Sequence, residues 1–234
     1  TIADTVRMLF ADLNPIGYRH FAIEVDPYMT AKLEAMLRSG GTKSLTKFLN
    51  SDDRKFSVPF YSWSAEAELA EAVVRANAQS TPALWGLDQV FIGASGVLLN
   101  DVATGASTAE ARALAATLAG QAKGNLEFLG KVDLAELQKL RGLLGDAKDR
   151  DLAQLMDDMI LSARIYQPFV TGAGLSVYAA NLERENLMKR TFLARYREAE
   201  KREGKAPHVL FKFGSYHMMR GLSGTHVPSL GNFV

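Results

Sequence analysis

Acid-base hydrolysis needs a group that moves a proton, a carboxylate that orients or polarises, and a cation facing the developing negative charge. Glu24, Asp88, Arg184 and His217 offer that set, but they lie far apart along the 234 residues, so they matter only if the fold gathers them. Glu24 stands in the apolar run Phe21-Ala-Ile-Glu-Val25. A carboxylate there costs free energy unless paired or hydrated, which favours a cleft-facing role over a structural ion pair. Asp26 precedes Pro27 and reads as a helix N-cap. Asp88, just after a short apolar run, either caps the next helix or belongs to the site. His217 follows an apolar strand and is either an ordinary loop histidine or a functional one.

Arg184 carries a separate argument. Val177, Arg184, Met188, Phe192 and Tyr196 fall on one helical stripe, with Asn181 at the matching step, so Asn181 and Arg184 continue an apolar face toward the interior. An inward arginine needs an anionic partner, and Glu24 is the candidate. A purely structural Arg184–Glu24 bridge accounts for the pattern as well as a catalytic one does. Gln89, Lys212, Tyr216 and Arg220 share the segments of Asp88 and His217 and are assigned to substrate binding. Arg19 and His20 are expected on the surface, and His226 exposed in the Gly- and Ser-rich terminal loop.

The elements that must position these residues follow from periodicity and punctuation. Ile2 to Leu13 has helical spacing and stops at Asn14-Pro15-Ile16-Gly17. His20 to Val25 alternates as a strand, with Phe21, Ile23 and Val25 on one side and Ala22 and Glu24 on the other. Asp26-Pro27 starts a helix that Gly40-Gly41 is expected to end. A short helix from Ser44 and a polar link lead to Trp63, and Ser64 is expected to cap a helix reaching about Gln79. Thr81-Pro82 separates it from a second strand, Leu84 to Leu87. Residues 90–172 read as helical, with breaks near Gly105, Gly124, Gly130 and Gly145. The stripes Leu134/137/140/144 and Leu152/Leu155/Met156/Met159/Ile160 read as packing faces. A long helix covers 175–202, and a third strand runs from His208 to Gly214. Strands separated by helices predict an α/β fold with a small, mainly parallel sheet, surrounded by many helices and carrying a large helical insertion. One domain over 1–234 is favoured. In such sheets ligands bind beyond the carboxyl ends of the strands, where Glu24, Asp88 and His217 fall.

Composition narrows the chemistry. The chain is 47% hydrophobic and 23% charged, values of an ordinary globular protein. A net charge of +1 argues against a nucleic-acid partner, and glutamates dilute the one basic tract, Lys189 to Lys205. With no cysteine there is no thiolate nucleophile and no zinc–thiolate site. No apolar run approaches the roughly 20 residues that span a bilayer. No metal or cofactor is called for, and the expected partner is a small-molecule substrate. Helical spacing from the first residues leads us to expect a segment upstream of Thr1, either a removed signal peptide or more chain. A secreted or periplasmic location and a cytoplasmic one are both compatible.

Three stretches resemble the erythromycin esterase-like family: GYRHFAIEVDPYMTAKLEAML, LWGLDQVF, and RENLMKRTFLARYREAEKREGKAPHVLFKFGSYHMMRG. The first is similar to the family's second strand and helix, the next to its short strand with a Gly-x-Asp element, the last to its late helix, strand and histidine loop. The resemblance implies an α/β fold with a helical insertion and metal-independent hydrolysis of a cyclic ester, with histidine as general base helped by carboxylates and an arginine. Carried over, Glu24 is the second-strand carboxylate, Arg184 the late-helix arginine and His217 the histidine after the last strand. Two departures stand out. The family's Gly-Glu-x-x-His motif has no counterpart from Thr1 onward, and Gly214 stands where a second late histidine is usual. The broader superfamily includes haem-uptake proteins, so the alternative is a binding protein with His217 or Tyr216 as haem ligand.

Overall fold

The computed structural model describes residues 1–79, 82–145 and 147–234, so Thr81 of the Thr81-Pro82 break lies outside the described residues. Helix α1 (Ile2–Leu13) begins with a capping box between Thr1 and Asp4. A 3-10 turn (Asn14–Ile16) and Gly17, at φ +106°, swing the chain into β1 (Tyr18–Ile23). The positive φ suits a residue without Cβ. Next come α2 (Pro27–Leu49), α3 (Ser64–Ala76) and β2 (Leu84–Gly86). The helical insertion follows as α4 (Ser95–Gly105), α5 (Ala109–Ala122), α6 (Phe128–Lys131), α7 (Leu134–Gly142) and α8 (Arg150–Val170). Helix α9 (Val177–Glu203) returns the chain to β3 (His208–Lys212), and one turn, α10 (Ser215–Met218), follows.

The three strands form a parallel sheet in the order β2-β1-β3, the α/β class read from the sequence. Ala22 lies beside Trp85 and Phe211, and Ile23 beside Gly86 and Lys212. Side-chain alternation then sorts the two faces. Phe21, Ile23 and Leu84 join an apolar core continuous from Ala3 on α1 to Ala163 on α8. Ala22 and Trp85 pack with Met188, Phe192 and Ala199 of α9 and with Leu230. Leu137, Leu140, Leu144, Leu155, Met156 and Met159 are all buried, as packing faces should be. No helix among the described residues is long and apolar enough to cross a membrane.

Several boundaries differ from those the sequence suggests. β1 starts and ends two residues earlier than expected, which puts His20 inside the strand rather than ahead of its core. His20 is therefore fully buried, not a surface residue. It stacks on Trp85 at 4.5 Å, and its Nε2 lies 2.6 Å from Glu203 of α9. Arg19 is exposed, as is His226. Gly40-Gly41 kinks α2 rather than ending it, with Gly41 at φ +63°, so the separate helix expected from Ser44 is its second half. Ser64 is the first helical residue of α3, and Trp63 is its N-cap without a side-chain bond.

Candidate functional site

Glu24 immediately follows β1 and continues its alternation, so it faces α9 as His20 and Ala22 do. Asp88 lies just past β2, where the backbone still follows β1, with its N–H bonded to the Val25 carbonyl. Helix α9 crosses this face antiparallel to β1, bringing Arg184 to Glu24 and Glu203 to His20. The Arg184 guanidinium forks onto Asp88, Nε to Oδ1 at 2.8 Å and Nη2 to Oδ2 at 2.5 Å, and Nη2 also reaches Glu24 Oε1 at 3.1 Å. Such a two-pronged contact fixes orientation as well as charge. The next helix begins only at Ser95, so Asp88 is a partner of Arg184 rather than a helix cap. Asp26 does cap α2, its Oδ1 accepting from the Tyr28 and Met29 N–H groups.

His217 completes the cluster from α10. Its Nε2 lies 3.4 Å from Glu24 Oε1 and its Nδ1 2.6 Å from Glu185 Oε1. Glu185 is 1% exposed, and its other oxygen accepts the Leu230 N–H at 2.7 Å. The Gly214 N–H donates to Glu24 Oε2 at 2.6 Å. A Cβ at Gly214 would stand 3.2 Å from that oxygen, so the absence of a side chain there lets the backbone approach closely.

These contacts set the charges. Burial alone would raise the Glu24 carboxyl, but His217, the Gly214 N–H and Arg184 overcome it and hold it at about 2. Burial would lower His217, yet Glu185 and Glu24 raise it to about 9, so the ring is an imidazolium at neutral pH. Burial works against the Arg184 charge too, and Asp88 with Glu24 more than restores it. Asp26 sits behind the cluster, fully buried, and desolvation pushes it up to about 7 despite its helix N–H bonds, with Asp88 adding to the rise. Among the described residues its Oδ2 has no hydrogen bond of normal geometry, although the Phe91 N–H also acts to lower the carboxyl.

Of the expected site residues, Glu24, Asp88, Arg184 and His217 meet, and Gln89 is buried beside Asp88, donating its N–H to Asp88 Oδ1. Lys212, Tyr216 and Arg220 do not join them. Lys212 is in register with Ile23, so it points to the opposite sheet face and pairs with Glu66 of α3 at 2.7 Å. Tyr216 is 56% exposed, its ring lying against Gly224, and Arg220 is exposed without an ion pair among the described residues. Sequence reasoning missed Glu185. Its signal was available: Glu185, Met188 and Phe192 step by three and four, so an acidic residue sits on the buried stripe.

Asp88 also borders open space. It lines a pit of about 10 Å³ with Tyr28, Asp158, Leu187 and Thr191, and these four also line a surface groove of about 540 Å³ beside α8 and α9. The Tyr28 hydroxyl donates to Asp158 at 2.5 Å at their junction. Among the described residues no group of three or more acidic or histidine side chains is disposed to hold a metal. Here Arg184 and His217 occupy the places of counter-charge.

No protein-family model and no curated protein matches the chain. Among solved structures, a succinoglycan biosynthesis protein is similar over 99% of this chain, with TM-score 0.61 and 13% identity. The chain spans 58% of that protein's length. At this identity the likeness speaks for the fold.

Proposed function

We propose that the chain is a metal-independent hydrolase of the erythromycin esterase-like type, acting on an ester or related small molecule. The supporting observation is the convergence of Glu24, Asp88, Arg184 and His217 at the carboxyl edge of the parallel sheet. Substrate would lie in the groove beside α8 and α9, which the small pit at Tyr28 and Asp158 separates from Asp88, so that pit has to widen for substrate to reach the cluster. Arg184, steadied by the Asp88 fork, faces the oxygen that gains negative charge. The protonated His217 does not accept a proton in its resting state; Nε2, whose 3.4 Å contact to Glu24 is the looser of its two, supplies one to the departing alkoxide, and Glu185 holds the ring through Nδ1 for that transfer. Glu24, kept ionised, orients the attacking water and steadies the imidazolium, and the proton shed from that water as the acid product ionises returns to His217. The family motif that supplies a general base has no counterpart in residues 1–234, so this cluster provides the acid and charge-stabilising half of the reaction.

The haem-binding alternative has less support, because both ring nitrogens of His217 already face carboxylates. A panel of p-nitrophenyl esters and macrocyclic lactones, assayed with wild type, Glu24→Gln and His217→Ala, tests the proposal. Turnover by the wild type should fall about 100-fold or more in both variants while circular dichroism stays native. No turnover of any panel member, or full turnover by both variants, refutes it.

A further inference from the structure

A second cavity, of about 440 Å³, lies between α2, α4 and α5 and shares no lining residue with the Asp88 pit. Its volume falls in the range of small-ligand sites. Phe48 and Val97 give it apolar surface, and small residues keep it open: a Cβ at Gly120 would meet nothing within 4 Å. Three cations, Lys32, Arg54 and Lys123, stand round it against two carboxylates, Asp53 and Asp101.

The pairing among them is uneven. Lys32 is taken up by Asp101 at 2.8 Å. Lys123 only approaches Asp53, at 3.9 Å. The Arg54 guanidinium lies over the Phe48 ring at 5.1 Å, forms no ion pair within 4 Å among the described residues, and acts on Asp53 only at longer range. An arginine stacked on an aromatic ring keeps its in-plane N–H groups free for an anion, while the ring gives an apolar body a surface to lie on. The open volume, the apolar wall and the surplus cation describe one kind of occupant.

We propose that this cavity binds a small organic anion, its apolar body against Phe48 and Val97 and its carboxylate, sulfonate or phosphate head on Arg54 and Lys123. The site is separate from the hydrolytic cluster and does not rest on that reading.

Titration with the fluorescent aromatic sulfonate 8-anilinonaphthalene-1-sulfonate tests it. The wild type should bind saturably, and the affinity should fall about tenfold in Gly120→Trp, which fills the cavity, and several-fold in Arg54→Ala or on raising salt. If Gly120→Trp does not fold, Ala116→Leu serves as the filling variant, read the same way. Displacement by benzoate or by phenyl phosphate then separates a carboxylate from a phosphate head. Binding that does not saturate, that is unchanged in a folded filling variant, or that benzyl alcohol displaces while neither anion does, overturns the proposal.

Discussion

Arg184 is the hinge of the charged cluster, and its removal has a cost that the geometry sets. In Arg184→Met the stem is replaced by a similar volume, but the fork to Asp88 and the contact to Glu24 vanish, stranding Asp88, whose side chain is 9% exposed, while Glu24 keeps His217 and the Gly214 N–H. Breaking a buried pair costs about 3–5 kcal/mol; with Arg184 itself 26% exposed, the lower end applies, about 3 kcal/mol. Most of that penalty is the carboxylate left without a cation, so removing it as well should recover part. Asp88→Asn keeps an oxygen for the Gln89 N–H and drops the charge. The double variant should therefore be about 1–3 kcal/mol more stable than the sum of the singles implies. Urea unfolding at pH 7, with equal slopes across the four proteins, measures the cycle. A cost below about 1 kcal/mol for Arg184→Met, or additivity within about 0.5 kcal/mol, would show that the cluster is too wet for the charges to depend on one another.

Two further predictions concern pH. Asp26 is raised from 3.8 to about 7 in the folded chain, so its contribution is present below pH 3.8 and is lost as pH rises through 7. Asp26→Asn retains the cap acceptor and should be more stable than wild type at pH 8, by up to about 4 kcal/mol, with the gap closing toward pH 4; parallel stability curves would contradict this. His217 is raised from 6.5 to about 9, so its contribution is complete below pH 6.5 and disappears as pH rises through 9. Glu185→Gln confronts either the His217 ring or the Leu230 N–H with a second donor, and should cost about 1–3 kcal/mol at pH 6 and flatten the fall between pH 6.5 and 9. An unchanged fall in denaturation curves across that interval would remove Glu185 from the account.

Much of this arrangement is visible before folding because two periodicities carry it. Strand alternation places Glu24 on the face of Ala22, and the four-residue stripe on α9 turns Arg184 inward, so their meeting follows from local pattern. The same alternation applied to β3 separates Lys212 from the cluster, but only once its register against Ile23 is known, and register is a long-range property. A strand core beginning after His20 leaves that residue on the surface, whereas within Tyr18–Ile23 it shares the buried Ala22 face. Glu185 escaped because the stripe was followed only in steps of four from Arg184, although steps of three and four lead from Glu185 to Met188 and Phe192. Gly40-Gly41 shows a further limit: paired glycines signal a break in helical backbone, while packing of both halves of α2 decides that it becomes a kink. The choice of Arg184 over a helix N-terminus as the partner of Asp88 depends on where α4 starts, seven residues on, which composition did not reveal.

His217 is a cation held between Glu24 and Glu185 in one cluster with Arg184 and Asp88. A proton NMR titration of the histidine Cε1–H resonances, with the His217 signal assigned by its loss in His217→Ala, reads this directly among the four histidines. A ring clasped by the two carboxylates should titrate with a midpoint near 9. A midpoint at the ordinary value of about 6.5 would mean that the ring is not clasped by the two carboxylates, and the proton-donor role would fall with it.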